Sequence, residues 1–165
     1  MSYRSIKPLS TAIAALLICC AAASPVTAAV RKKRMSERRL AVYGLIRRVR
    51  TQATQFEKVF KSALKATALR GTSKESDLTA NANNISFGAT QIRNEFKSGK
   101  PTSSLKPEVS DLFVAAERIN IVFSNVKLAE PAATRWTQLR DALNNLGAIY
   151  KLKPLSHISY VSGPS

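Results

Sequence analysis

The 165 residues carry 26 Lys and Arg against 10 Asp and Glu, for a net charge of +16, with 45% apolar residues, two Cys and one His. That length fits one domain and excludes a multidomain machine, and the apolar fraction is too high for a disordered tail. So few Cys and His leave almost nothing for zinc clusters, disulfide frameworks or Cys–His nucleophiles.

Arg4 and Lys7 precede a run without charge that lasts until Arg31. Thr11 to Ala23 is apolar, and Val26-Thr27-Ala28-Ala29 offers small residues at an A-x-A-like site. A basic start, a short apolar core and such a site read as a secretory signal peptide over residues 1–29, cleaved after Ala28 or Ala29. Cys19 and Cys20 fall inside it, and Ile18 argues against a lipoprotein acceptor. A secreted or periplasmic protein is the expectation. The rival is a chain anchored by an uncleaved segment: Pro8 to Val30 is uncharged and long enough to span a bilayer, and Arg31-Lys32-Lys33-Arg34 just beyond it opposes translocation.

A basic arm and helix overhang follow over residues 30–41, the helix starting near Ser36, and from there the period is helical. The first seam is Val42, Ile46, Val49, Ala53, Phe56, Phe60, Ala63 and Thr67, stopped by Gly71. Thr72-Ser73-Lys74-Glu75 fits a capping box and opens a second seam of Leu78, Ala82, Ile85, Ala89, Ile92 and Phe96. A third helix starts at Pro107, a favoured first-turn position, with Val109, Leu112, Ala116, Ile119, Phe123 and Val126. A fourth starts near Pro131 with Ala132, Trp136, Leu139, Leu143, Leu146 and Tyr150, and ends before Pro154. Each seam places one apolar stripe along a helix, and no helix can bury such a stripe alone. Short breaks between neighbours predict an all-α, antiparallel up-down-up-down four-helix bundle with a long first helix over residues 42–153. Residues 154–165 are predicted to be an extended or disordered tail. Gly44, Gly88 and Gly147 are expected to permit close helix approach.

The predicted core is a poor place for chemistry. Bundle metal sites use inward Glu, Asp or His, and no seam position is charged, His or Cys. A haem would need axial ligands, and the candidates, His157 and Met35, read as a tail histidine and a starter-turn methionine. No G-x-S-x-G turn occurs, and one His is the sole base. Glu57, Glu117 and Asp141 fall beside the seams, where pairing with surface Lys or Arg is expected. The expectation is no enzyme, no metal and no cofactor, with a haem- or small-molecule-binding bundle as a remote alternative.

The charge is placed unevenly. Antiparallel topology would gather the basic arm with Arg47, Arg48, Arg93, Lys97, Lys100, Lys106, Lys151 and Lys153 at one pole, against Glu37, Glu95, Glu108 and Asp111. Such a concentration costs self-repulsion and invites an anionic partner. The candidate anion-binding residues are Arg31, Lys32, Lys33, Arg34, Arg38, Arg39, Arg47 and Arg48. An anionic membrane surface or an acidic envelope polymer is the expected partner, with nucleic acid held non-specifically through phosphates as another.

The stretch Trp136-x2-Leu139-Arg140-x2-Leu143-x2-Leu146-x3-Tyr150 resembles the ending of small, uncharacterised exported helical proteins of environmental bacteria. The resemblance implies an exported bacterial helical protein without known catalysis, and no functional residues come with it. The function expected is therefore a non-enzymatic exported bundle that associates electrostatically through its basic pole. A periplasmic protein-interaction or chaperone-like module, using off-seam Phe87 and Ile121, is the alternative.

Overall fold

The structure is a computed structural model that describes residues 25–126 and 128–156, with side chains from Glu37 onward. It is all-helical among those residues: α1 Pro25–Lys65, α2 Ser73–Lys97, α3 Lys106–Asn125 and α4 Glu130–Ile149, with a short 3-10 turn at Thr102–Leu105. α1 packs against both α2 and α4, α2 packs against α3, and α3 meets α4 more sparingly.

The predicted seams form the core. Every seam residue of α2 and α4 is buried, as are those of α1 from Ile46 to Ala63 and those of α3 from Val109 to Phe123. At the centre, Phe56, Phe60, Phe123 and Trp136 form one aromatic cluster. The Phe123 and Trp136 rings lie 5.5 Å apart and nearly parallel, and Phe56 meets Trp136 at 5.3 Å. The buried indole N–H of Trp136 donates to Asn120 Oδ1 at 3.1 Å, so the ring brings no unmet donor into the core.

Helix ends follow local hydrogen bonding. Among the described residues α1 is already helical at Pro25, earlier than the start expected near Ser36, and it ends at Lys65 rather than at Gly71. Thr67 N and Thr67 Oγ1 both donate to Leu64 O, tightening the chain into turns and leaving Thr67 outside the helix. The capping box forms with a shift: Glu75 N donates to Thr72 Oγ1, whereas the Glu75 carboxylate accepts from Gly71 N at 2.6 Å, one residue before the cap. Gly71 takes φ +75°, a left-handed conformation that favours glycine.

The glycines inside helices divide. A Cβ on Gly147 would fall inside the Phe113 ring, so this glycine does allow α3 and α4 to approach closely. Gly44 has open space around it and plays no such part, contrary to the expectation from sequence.

After α4 the chain reverses. Lys151 adopts φ +56°, and Leu152 N donates to Gly147 O, a left-handed helix end of the kind glycine usually makes. The following residues, expected as the start of a loose tail, are held down. Asn144 Oδ1 accepts from Leu155 N at 2.8 Å and Asn144 Nδ2 donates to Leu155 O at 3.2 Å, with Leu155 buried. Asn120 Nδ2 lies 3.4 Å from both Ser156 O and Oγ. Arg140 stands one turn from both Trp136 and Asn144 on α4. It is only 2% exposed, its Nη1 bonds nothing among the described residues, and Nη2 reaches Asp141 at 3.3 Å.

Candidate anion-binding surface

All eight sequence-predicted anion-binding residues belong to α1. Arg31, Lys32, Lys33 and Arg34 lie in its helical span, and their side chains fall outside the described residues. Arg38, Arg39, Arg47 and Arg48 are exposed. A separation of nine residues is two and a half helical turns, so Arg47 and Arg48 stand on the opposite side of α1 from Arg38 and Arg39. The four therefore surround the helix and share no single face. Among the described residues no carboxylate comes within ion-pair distance of any of them.

Arg39 is the one that the fold fixes. Its guanidinium lies 4.3 Å over the Phe96 ring near the end of α2, and its Nη2 donates to Phe96 O at 2.8 Å. Tyr43 stacks on the same ring at 5.8 Å. Together with Leu40 and Lys97 these residues line a shallow hollow of about 340 Å³. A neighbouring hollow is lined by Arg38, Arg39, Val42, Pro101 and Thr102, so the segment after α2 meets the same stretch of α1.

Two of the four nearby acids, Glu95 and Glu108, are engaged. Lys100 Nζ bonds Glu95 Oε2 at 2.7 Å and also Glu108 Oε1, tying the end of α2 to the start of α3. The hydrogen bond from Lys100, with help from Gln91, holds the Glu95 carboxyl below the usual carboxylate range. The bonds to Glu108 and Glu95 hold the Lys100 ammonium above its ordinary value. Burial, and then the Glu108 charge, pushes the Tyr150 phenol up. Arg38, Arg39, Arg47, Arg48 and Lys97 are left without acidic partners among the described residues.

Two arginines that the sequence did not single out for the site flank the α1–α2 contact. Arg50 and Arg93 each bury an Nε that bonds no described group. Their signal was positional, since each stands one helical turn from a seam residue, Ile46 and Ala89 respectively.

The carboxylates flagged beside the seams behave in two ways. Burial raises the Glu57 carboxyl, but the hydrogen bond from Lys61 at 2.7 Å and that from Ser86 outweigh it and hold the group low. Asp141 reaches Arg140, whereas Glu117 is exposed and makes no ion pair among the described residues. No group of three or more His, Cys, Asp or Glu that could hold a metal occurs among the described residues, and His157 lies outside them. No helix among them is long and apolar enough to cross a membrane, and the segment from Pro8 to Ser24 likewise lies outside. Phe87 and Ile121 are 73% and 58% exposed, but neither lines the furrow between α2 and α3, which is walled largely by Asn81, Asn84, Gln91, Asp111 and Arg118. Comparison with protein-family models, with curated proteins and with solved structures finds no match to this chain.

Proposed function

We propose that this chain is a non-enzymatic exported helical bundle that associates electrostatically with an anionic envelope component through one basic end. The observation that carries the reading is the set Arg38, Arg39, Arg47, Arg48 and Lys97, all exposed and without a described acidic partner, while Lys100 occupies Glu95 and Glu108. Up-down-up-down topology belongs to the same proposal. It is supported by contacts in which residue numbers fall on one helix as they rise on the next: Arg39 with Phe96 and Thr54 with Ser86, Gly88 with Leu112 and Glu95 with Glu108 through Lys100, and Phe113 with Gly147 and Asn120 with Trp136. In that topology Arg93, Lys97, Lys106, Lys151 and Lys153 join the cationic end of α1. The signal segment over residues 1–29, its cleavage after Ala28 or Ala29 and the resulting secreted or periplasmic location are further parts of the proposal.

Each basic residue near an anionic surface contributes about 1 kcal/mol, so several suffice for binding that salt weakens. The experiment is retention of the protein on immobilised heparin along a salt gradient. Early elution after changing Arg31, Lys32, Lys33, Arg34, Arg38 and Arg39 to Gln is the expected result. Unchanged elution would remove the reading.

A protein-interaction module is the second reading, supported by the exposure of Phe87 and Ile121. Binding of a hydrophobic dye to the folded protein, insensitive to salt, would favour it over the first.

A further inference from the structure

We infer that the hollow between Arg39 and Lys97 docks on the surface of an anionic lipid bilayer, the two cations meeting headgroup phosphates and Leu40 entering the acyl boundary. This rests on the electrostatic reading above and names its partner.

Three observations converge on one stretch of α1 and α2. The first is a pre-oriented donor. Arg39 is held 4.3 Å over the Phe96 ring and spends one N–H on Phe96 O, and its remaining donors bond no described residue. A planar fork already held in place loses little freedom when it grips a phosphate. The second is a misplaced leucine. Leu40 follows Arg39 directly and is 66% exposed, although Tyr43 and Phe96 offer an apolar floor beside it. The third is the sign of the surroundings. Lys97 forms the far rim and no acid lines the hollow, Glu37 standing one turn before Leu40 outside it.

A soluble acidic polymer or a nucleic acid would use the cations and gain nothing from Leu40. An anionic bilayer engages both, as amphipathic interfacial helices do by burying an apolar side chain between basic residues. Phe87, Val114 and Ile121 do not lie in a hollow rimmed by two cations. Phe87 shares its face of α2 with Asn83, Asn84 and Gln91, and Val114 and Ile121 flank Glu117 on α3.

The test measures partition of the full chain into equimolar phosphatidylglycerol–phosphatidylcholine vesicles relative to phosphatidylcholine alone, which subtracts any contribution that does not depend on lipid charge. Leu40→Ser is expected to lower the anionic increment about tenfold, the order expected for removing one apolar side chain from the acyl boundary. Phe87→Ser, equally exposed but remote from the cations, keeps the wild-type increment. In a second variant, Leu40→Trp, anionic vesicles shift the added tryptophan emission to the blue, over the constant signal of buried Trp136. An undiminished increment for Leu40→Ser, or an unshifted Leu40→Trp, overturns the bilayer assignment while salt-sensitive retention of the wild type on heparin keeps the electrostatic reading. Retention on neither vesicles nor heparin overturns both.

Discussion

The two halves of α1 are one continuous helix with opposite fates. From Glu37 to Ala41 every side chain is exposed, including Leu40, whereas Ile46, Val49, Ala53, Phe56 and Phe60 are each at most 1% exposed. Backbone and hydrogen-bond ladder are the same in both. What differs is cover: the later half is enclosed by α2 and α4, and its aromatic rings meet Phe123 and Trp136, while the earlier half touches its neighbours chiefly through Arg39 and Tyr43 on Phe96. An apolar residue on a helix is thus buried by its tertiary partners and not by helix formation, and a cation-rich stretch can extend a core helix without entering the core.

That contrast predicts that damage in the later half is felt as lost stability and damage in the earlier half as lost association. The largest effect is expected for Trp136→Ala, which removes a ring stacked on Phe123 and leaves Asn120 Oδ1 without its donor; it should cost about 3–5 kcal/mol in urea unfolding. Gly147→Ala forces a methyl group into the Phe113 ring and should cost about 1–3 kcal/mol in the same assay. Gly44→Ala, in open space on the earlier side, should instead stabilise by about 1 kcal/mol through helix propensity alone. A loss of stability there would show that the early half is enclosed after all.

The smallest effect expected is on pH. Glu95 is held below its ordinary 4.5, so its bond to Lys100 helps folding above that value, and the help disappears as pH falls through the lower folded-state value. Lys100 is raised above 10.5, so its contribution is complete below that pH and vanishes as pH rises through the folded-state value. Lys100→Met should flatten both limbs of a melting-temperature profile against pH, and an unchanged acid limb would count against the assignment.

Much of the helical core was legible because spacing alone selects it: Leu78 to Phe96 and Ala132 to Tyr150 are buried at every seam position. What the spacing missed depends on non-local cover. Leu105 is fully buried in a 3-10 turn too short to show a period. Phe113 and Asn120 are buried off the main stripe of α3, where α3, α4 and the strap at Leu155 and Ser156 come together, a contact between segments far apart in sequence, and Arg140 is buried off the stripe of α4. The cationic residues could be read from the chain, but not the clamp on Arg39, because Phe96 lies 57 residues away.

The double hold of Asn144 on Leu155 decides where the stretch after α4 lies on the bundle. Ser156 rests by Asn120, which is bonded to Trp136, whose ring in turn meets Phe56. Phe56 lies seventeen residues along α1 from Arg39, about 25 Å at the helical rise. A probe attached at Ser156 would therefore report from the side of the bundle that α3 and α4 make, whereas Arg39 and Lys97 belong to α1 and α2.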